Sequence, residues 1–290
     1  MSWLVVLVEH NEDGVEHFAD VTPITHPAPL APKPTSVPVH LPAVANSVVV
    51  PTSHVSCPTI AIVNLSTVAT DAEIINIMNA IQIQIDRDFA PIWATSANLI
   101  FLPKTATIPA NNWVVQILDT SDQQGALGYH ETTASGMPIG KIFAKSDAQY
   151  NLSLSVTMSH EILECLADPL IDLTVFAQTS NTEGTLVAYE SCDAVESDEL
   201  GYKINGVLVS DFVTPAFFET SNTLPAGTKY DFCGHLTAPL SIAPGGYLST
   251  FAVNPTTTGW TQQTNGEMGP RLKSKIDNKD ARLNKRANKR

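Results

Sequence analysis

Nine prolines fall between Pro23 and Pro58, and the next is Pro91. Proline lacks the backbone N–H and fixes φ, so that density excludes helix and central strand and favours extended, polyproline-like chain. Residues 20–58 therefore read as an arm running over a surface, and the globular body starts at residue 59. Ahead of the arm, residues 1–19 hold a short apolar stretch that reads as a strand over 3–9. It has no basic residue before it and no small-residue cleavage site after it, which argues against a signal peptide. His10, His17, His26, His40 and His54 are scattered through these segments without ligand spacing, and surface histidine is the reading for them.

From Thr59 the hydrophobic pattern becomes regular. Ile60 to Leu65 is apolar enough for a buried strand. Thr70 or Asp71 then caps a helix over 71–89, in which Ile74, Ile77, Met78, Ile81, Ile85 and Phe89 recur at helical spacing and Pro91 is the stop signal. Strands follow at 98–102, 113–118, 126–130 and 139–144. An amphipathic helix is expected over 153–168, ended by Pro169. Residues 169–270 carry strand and turn signals, with Leu186 to Glu190 as one strand. Asn205-Gly206 lies inside Tyr202–Val209, a strong signal for a two-residue hairpin. Residues 211–218 are rich in aromatic and branched side chains and are expected to pack. The fold class is α+β: a mixed sheet with a backing helix and a site-bearing helix, then a strand-rich C-terminal part.

Charge divides the chain. Residues 271–290 carry nine Lys/Arg and two Asp, whereas the other 270 residues have a net charge of −20. An acidic body repels nucleic acid, so only the basic tail suits an acidic surface or a nucleic acid as partner. No apolar run is long enough to cross a bilayer, so no membrane partner is expected. Cys57, Cys165, Cys192 and Cys233 show no C-x-x-C spacing, which argues against a thiolate zinc cluster or redox pair. Buried thiols are the expectation, with a Cys165–Cys192 bridge as the alternative.

The helix at 153–168 carries the chemistry. His160 and Glu164 stand four residues apart on one face, with Glu161 beside them, so both can reach one cation. Asp168 continues the stripe but lies about 12 Å from His160 along the axis, which suits a C-terminal cap or supporting group better than a ligand. His-Glu-x-x-Glu differs by one residue from H-E-x-x-H, the two-histidine zinc helix of metallopeptidases. The order of elements through 59–168 also resembles the upper half of the zincin class of zinc peptidases. In that class the short fourth strand is an antiparallel edge and the last helix carries the metal.

The resemblance implies a metal site of His160, Glu164 and Glu190. Asp193 would hold the far nitrogen of His160, and Asp168 would lie among the supporting groups. Glu161 would act as general base on a metal-activated water attacking a peptide carbonyl. His130 and Tyr129, on the edge strand, fall on the substrate or ligand side, and His235 is a lesser ligand candidate. Zinc is the implied ion. Two carboxylates for one imidazole also suit Mn2+ or Ca2+. Ser159-His160-Glu161, Glu164, Asp168-Pro169, Tyr189-Glu190-Ser191-Cys192-Asp193 and Asn205-Gly206 are similar to a motif set shared by an uncharacterised group of bacterial and phage proteins.

Two functions follow as expectations. One is a metal-binding, zincin-like protein, either an active metallopeptidase on peptide or protein substrates or a degenerate one. The other is a structural or accessory protein of a phage particle or other large assembly, docking on neighbouring subunits through the arm and tail. The corresponding locations are the cytoplasm or a virion.

Overall fold

The computed structural model describes residues 57–123, 126–178, 183–220, 224–253, 259–266 and 271. The expected strand at 3–9, the proline-rich arm up to residue 56 and the basic tail beyond Arg271 lie outside them.

The described body is α+β. Its first half is a five-stranded mixed sheet ordered β2-β1-β3-β5-β4. β1 (Thr59–Asn64), β2 (Asn98–Leu102), β3 (Trp113–Leu118) and β5 (Pro138–Phe143) run parallel, and β4 (Gly128–Thr132) is antiparallel at the edge. β1 lies between β2 and β3 and is buried on both faces, as a parallel strand covered from both sides must be. The expected first, second, third and fifth strands are all present. The fourth starts two residues later than its composition suggested.

α1 (Asp71–Ile83) begins at Thr70, whose hydroxyl accepts the N–H of Glu73 at 3.2 Å. Ile74, Ile77 and Ile81 bury the face toward the sheet. Pro91 does not end this helix. The chain widens into a π-helical turn at Gln84–Phe89 and runs on through α2 (Ala90–Trp93). The wider turn lets Ala90 N–H bond the carbonyl of Ile85, and Pro91 falls in the first turn of α2, where its missing N–H is not needed. The helix stops at Ala94, in a left-handed conformation. Within the π turn, Gln84 Nε2 donates to the Ser210 carbonyl at 2.8 Å and Asp88 accepts from the Tyr202 hydroxyl at 2.8 Å. The turn thus ties the helix to the C-terminal half.

A short helix not expected from the pattern, α3 (Ala144–Gln149), follows β5 directly. It leads to α4 (Leu154–Ala167), the helix expected at 153–168. α4 is not amphipathic in its setting: every residue from Ser155 to Leu166 is buried. β4 and β5 cover one side, and the C-terminal half covers the other through β9. Its polar groups are accommodated by bonds. Ser155 donates to the Leu208 carbonyl at 2.6 Å, Thr157 to Asp147 at 2.7 Å, and Ser159 Oγ accepts the Ser210 N–H at 2.7 Å.

The C-terminal half is strand-rich, as expected. β6 (Thr174–Gln178), β7 (Gly184–Ala188), β10 (Tyr247–Val253) and β11 (Thr261–Thr264) form an antiparallel sheet ordered β11-β10-β7-β6. β6 was not anticipated. Three of its five residues are partly buried and two exposed, so its apolar signal is thin. β8 (Tyr202–Ile204) and β9 (Val207–Val209) make the expected hairpin. Asn205 and Gly206 both sit at positive φ, 50° and 85°, as a type I′ turn requires. Val213, Phe217 and Phe218 are buried in the C-terminal core. Phe212 packs edge-on to Phe89 at 5.0 Å, and Trp93 Nε1 donates to the Val213 carbonyl at 2.9 Å. Ile204, Val209 and Cys192 share one core cluster with Ile74, Ile81 and Ile162.

Among the described residues no helix is long and apolar enough to cross a membrane. All four cysteines are free. Cys165 and Cys192 are buried but unbridged, and Cys57 and Cys233 are exposed rather than buried.

Candidate metal centre

Three pieces of chain converge beside α4. Helical spacing puts His160 and Glu164 on one face, with Nε2 of His160 3.1 Å from Oε2 of Glu164. After β7 the chain turns back across the helix at Ser191-Cys192 and enters a 3-10 turn at Asp193–Val195. The Cys192 N–H donates to Oε1 of Glu164 at 3.2 Å, which fixes that carboxylate between helix and turn. The same turn brings Asp193 Oδ1 to 3.3 Å from His160 Nε2.

The third piece is the edge strand. Alternation along β4 sends Gly128 and His130 toward α4 and Tyr129 to the opposite face. His130 Nδ1 lies 3.4 Å from Glu161 Oε2 and 3.8 Å from Glu164 Oε2, and its Nε2 lies 3.8 Å from Glu190 Oε2. Glu161 fits only because residue 128 is glycine: a Cβ there would stand 2.8 Å from Glu161 Cγ and 2.9 Å from Thr157 Cγ2. His130, His160, Glu161, Glu164, Glu190, Asp193 and Glu196 are each at most 5% exposed.

The electrostatics of so many acids in one buried place are severe. Removing a charge from water costs several kcal/mol per ion unless it is compensated. Burial disfavours the charged form of His160, but Glu164, Asp193 and Glu161 more than offset this and raise its pKa to about 10. Burial, then Glu164, pushes the Cys192 thiol well above its ordinary value.

The donor set fits a divalent cation. Tetrahedral zinc with bonds of 2.0–2.1 Å holds its ligand atoms about 3.3 Å apart. The separations from His160 Nε2 to Glu164 and to Asp193 are compatible with that spacing and are also ion-pair lengths. Around the cluster, donor atoms of His160, Glu164 and Cys192, of His130, Glu164 and Glu190, and of His160, Asp193 and Glu196 each lie within 4.8 Å of one another.

The expected site residues are thus largely brought together, with changes of place. Asp193 faces Nε2 of His160, the nitrogen that also faces Glu164, and not the far nitrogen of the ring. The short 3-10 turn aims it there. Glu190 groups with His130 and Glu164. Asp168 lies at the C-terminal end of α4, where its carboxylate accepts the N–H groups of Asp172 and Leu173 at 3.1 Å each. There it closes the helix and fixes the turn that follows, about two helical turns' length removed from His160. Tyr129 does not line the cluster, because its hydroxyl bonds Asp122 and Lys141 on the other face of the sheet. His235 faces Asp211 at 3.1 Å and Asp231 at 3.3 Å, in a separate group.

Cys192 and Glu196 are members that sequence reasoning passed over. Their signal was position: both fall within six residues of Glu190, on the turn that crosses the helix. No protein-family model, no curated protein and no solved structure matches this chain.

Proposed function

We propose that this chain is a metal-binding protein of zincin-like arrangement that hydrolyses peptide bonds, with Glu161 as general base. The observation that carries the reading is the convergence of Glu164 and Asp193 on His160 Nε2, at 3.1 and 3.3 Å, with Glu161 one residue along the same helix. His160 would hold the ion with the carboxylates grouped around it, Glu164, Asp193 and Glu196. A divalent ion there supplies Lewis acidity toward a carbonyl and lowers the pKa of water. Glu161, held between Gly128 and His130, takes the proton of the attacking water and returns it to the leaving amine. His130 orients the Glu161 carboxylate through Nδ1. The wealth of carboxylates widens the choice of ion from zinc to Mn2+ or Ca2+.

The burial of the whole cluster favours a second reading, a closed metal centre that stabilises a structural or accessory protein without turnover. Peptide or casein hydrolysis by metal-loaded protein separates the two. The first reading expects activity that Glu161→Gln lowers by roughly 10²–10⁴-fold while metal content is unchanged. Absence of hydrolysis from metal-loaded wild type would favour the second, and hydrolysis that Glu161→Gln leaves intact would overturn Glu161 as the base.

A further inference from the structure

The cluster holds more ligands than one ion can use. Five buried carboxylates (Glu161, Glu164, Glu190, Asp193 and Glu196) surround two imidazoles. A zinc ion takes about four ligands, and a catalytic one keeps a position open. The donors also separate into two sets. His130 and Glu190 lie on one side, with Nε2 of His130 turned toward Glu190 at 3.8 Å. His160, Asp193 and Glu196 lie on the other. Glu164 belongs to both, since its Oε2 faces His160 Nε2 at 3.1 Å and its carboxylate lies within 4.8 Å of donor atoms of His130 and Glu190.

We infer that the site is dinuclear, with Glu164 as the carboxylate shared by two divalent ions. One ion is held by His160, Asp193 and Glu196, the other by His130 and Glu190. This rests on the metal-centre reading above and extends it. A shared carboxylate is one way to hold two ions close enough, about 3.5–4 Å, to act on the same substrate. Glu164 is well placed to be shared: the Cys192 N–H anchors its other oxygen at 3.2 Å, so Oε2 stays directed between the two imidazoles.

The test is metal stoichiometry of the full chain, measured by elemental analysis and by calorimetric titration with Zn2+ and with Mn2+. Wild type is expected to bind two ions. His130→Ala and His160→Ala each retain one, and Glu164→Ala binds both weakly. Cys233→Ser and His235→Ala retain two, because the Asp211, Cys233 and His235 group lies outside the site. The Mn2+-loaded wild type gives an exchange-coupled paramagnetic resonance spectrum, a readout independent of how well the variants fold. One ion in wild type overturns the dinuclear site and leaves the metal-centre reading standing, whereas none overturns both. Two ions without exchange coupling, or loss of one in Cys233→Ser, would place the second ion elsewhere and overturn the proposal.

Discussion

Glu164 Oε2 stands 3.1 Å from His160 Nε2, one helical turn away, while its Oε1 takes the N–H of Cys192 from a turn 28 residues further on. That carboxylate joins the site helix to the C-terminal half at the point where the acidic groups gather. The fold around it follows from the same need. α4 is buried on every side, so its polar residues must find partners within the protein, and most of them find one on a neighbouring element.

Gly128→Ala tests how tightly the base is held. The added methyl would meet Glu161 Cγ at 2.8 Å and Thr157 Cγ2 at 2.9 Å, so the Glu161 side chain must shift. The variant is expected to retain its metal but lose at least about tenfold of any hydrolytic rate, since small misplacements of a reacting group can cost up to about 10²-fold. Metal content and steady-state kinetics, measured on the same sample, check this.

Arg271 opens the basic tail, yet it is buried. Its guanidinium donates to Asp198 at 2.6 Å, to the Thr157 hydroxyl at 2.7 Å and to the Ser153 carbonyl at 2.9 Å, locking the N-terminal end of α4. Arg271→Met is expected to cost about 3 kcal/mol, the low end for breaking a buried charge pair, because Asp198 keeps some contact with solvent. Denaturant unfolding measures it. Truncation after residue 271 should leave stability nearly unchanged if the anchoring is local to Arg271.

Asp147 supplies a pH dependence. Burial raises its pKa to about 7, against the opposing pull of Arg271 and the Thr157 hydroxyl. The folded state therefore holds this proton more tightly than the unfolded chain, whose aspartate titrates near 3.9. The contribution to stability is complete below about pH 4 and is lost as pH rises through 7. Asp147→Asn should flatten that part of the stability profile between about pH 4 and 7 relative to wild type. Unfolding free energies across that window, on metal-free protein, show the difference.

Much of the fold was legible because it depends on local pattern. The 3.6 spacing of Ile74, Ile77 and Ile81, the Thr70 cap, the apolar run of β1 and the Asn205-Gly206 turn are short-range signals, and the corresponding elements formed. Pro91 misled because a π turn can absorb a proline that a regular helix cannot, and nothing in the residues from Gln84 to Phe89 announces that turn. α4 looked amphipathic because its polar residues carry no mark of burial. Only the packing of β4 on one side and β9 on the other reveals it. At the site, His160, Glu161 and Glu164 were legible from helical spacing. The partnership of His130 with Glu161 and Glu190 depends on strand register and on which face of β4 meets the helix, and that is settled by tertiary packing.

Metal content of the purified full-length chain, with His160→Ala and Glu164→Ala beside it, tests the central claim most directly. The account predicts stoichiometric divalent metal in wild type, lost from Glu164→Ala and reduced in His160→Ala. A wild-type protein that remains metal-free after incubation with Zn2+, Mn2+ or Ca2+, while keeping its fold, would contradict it.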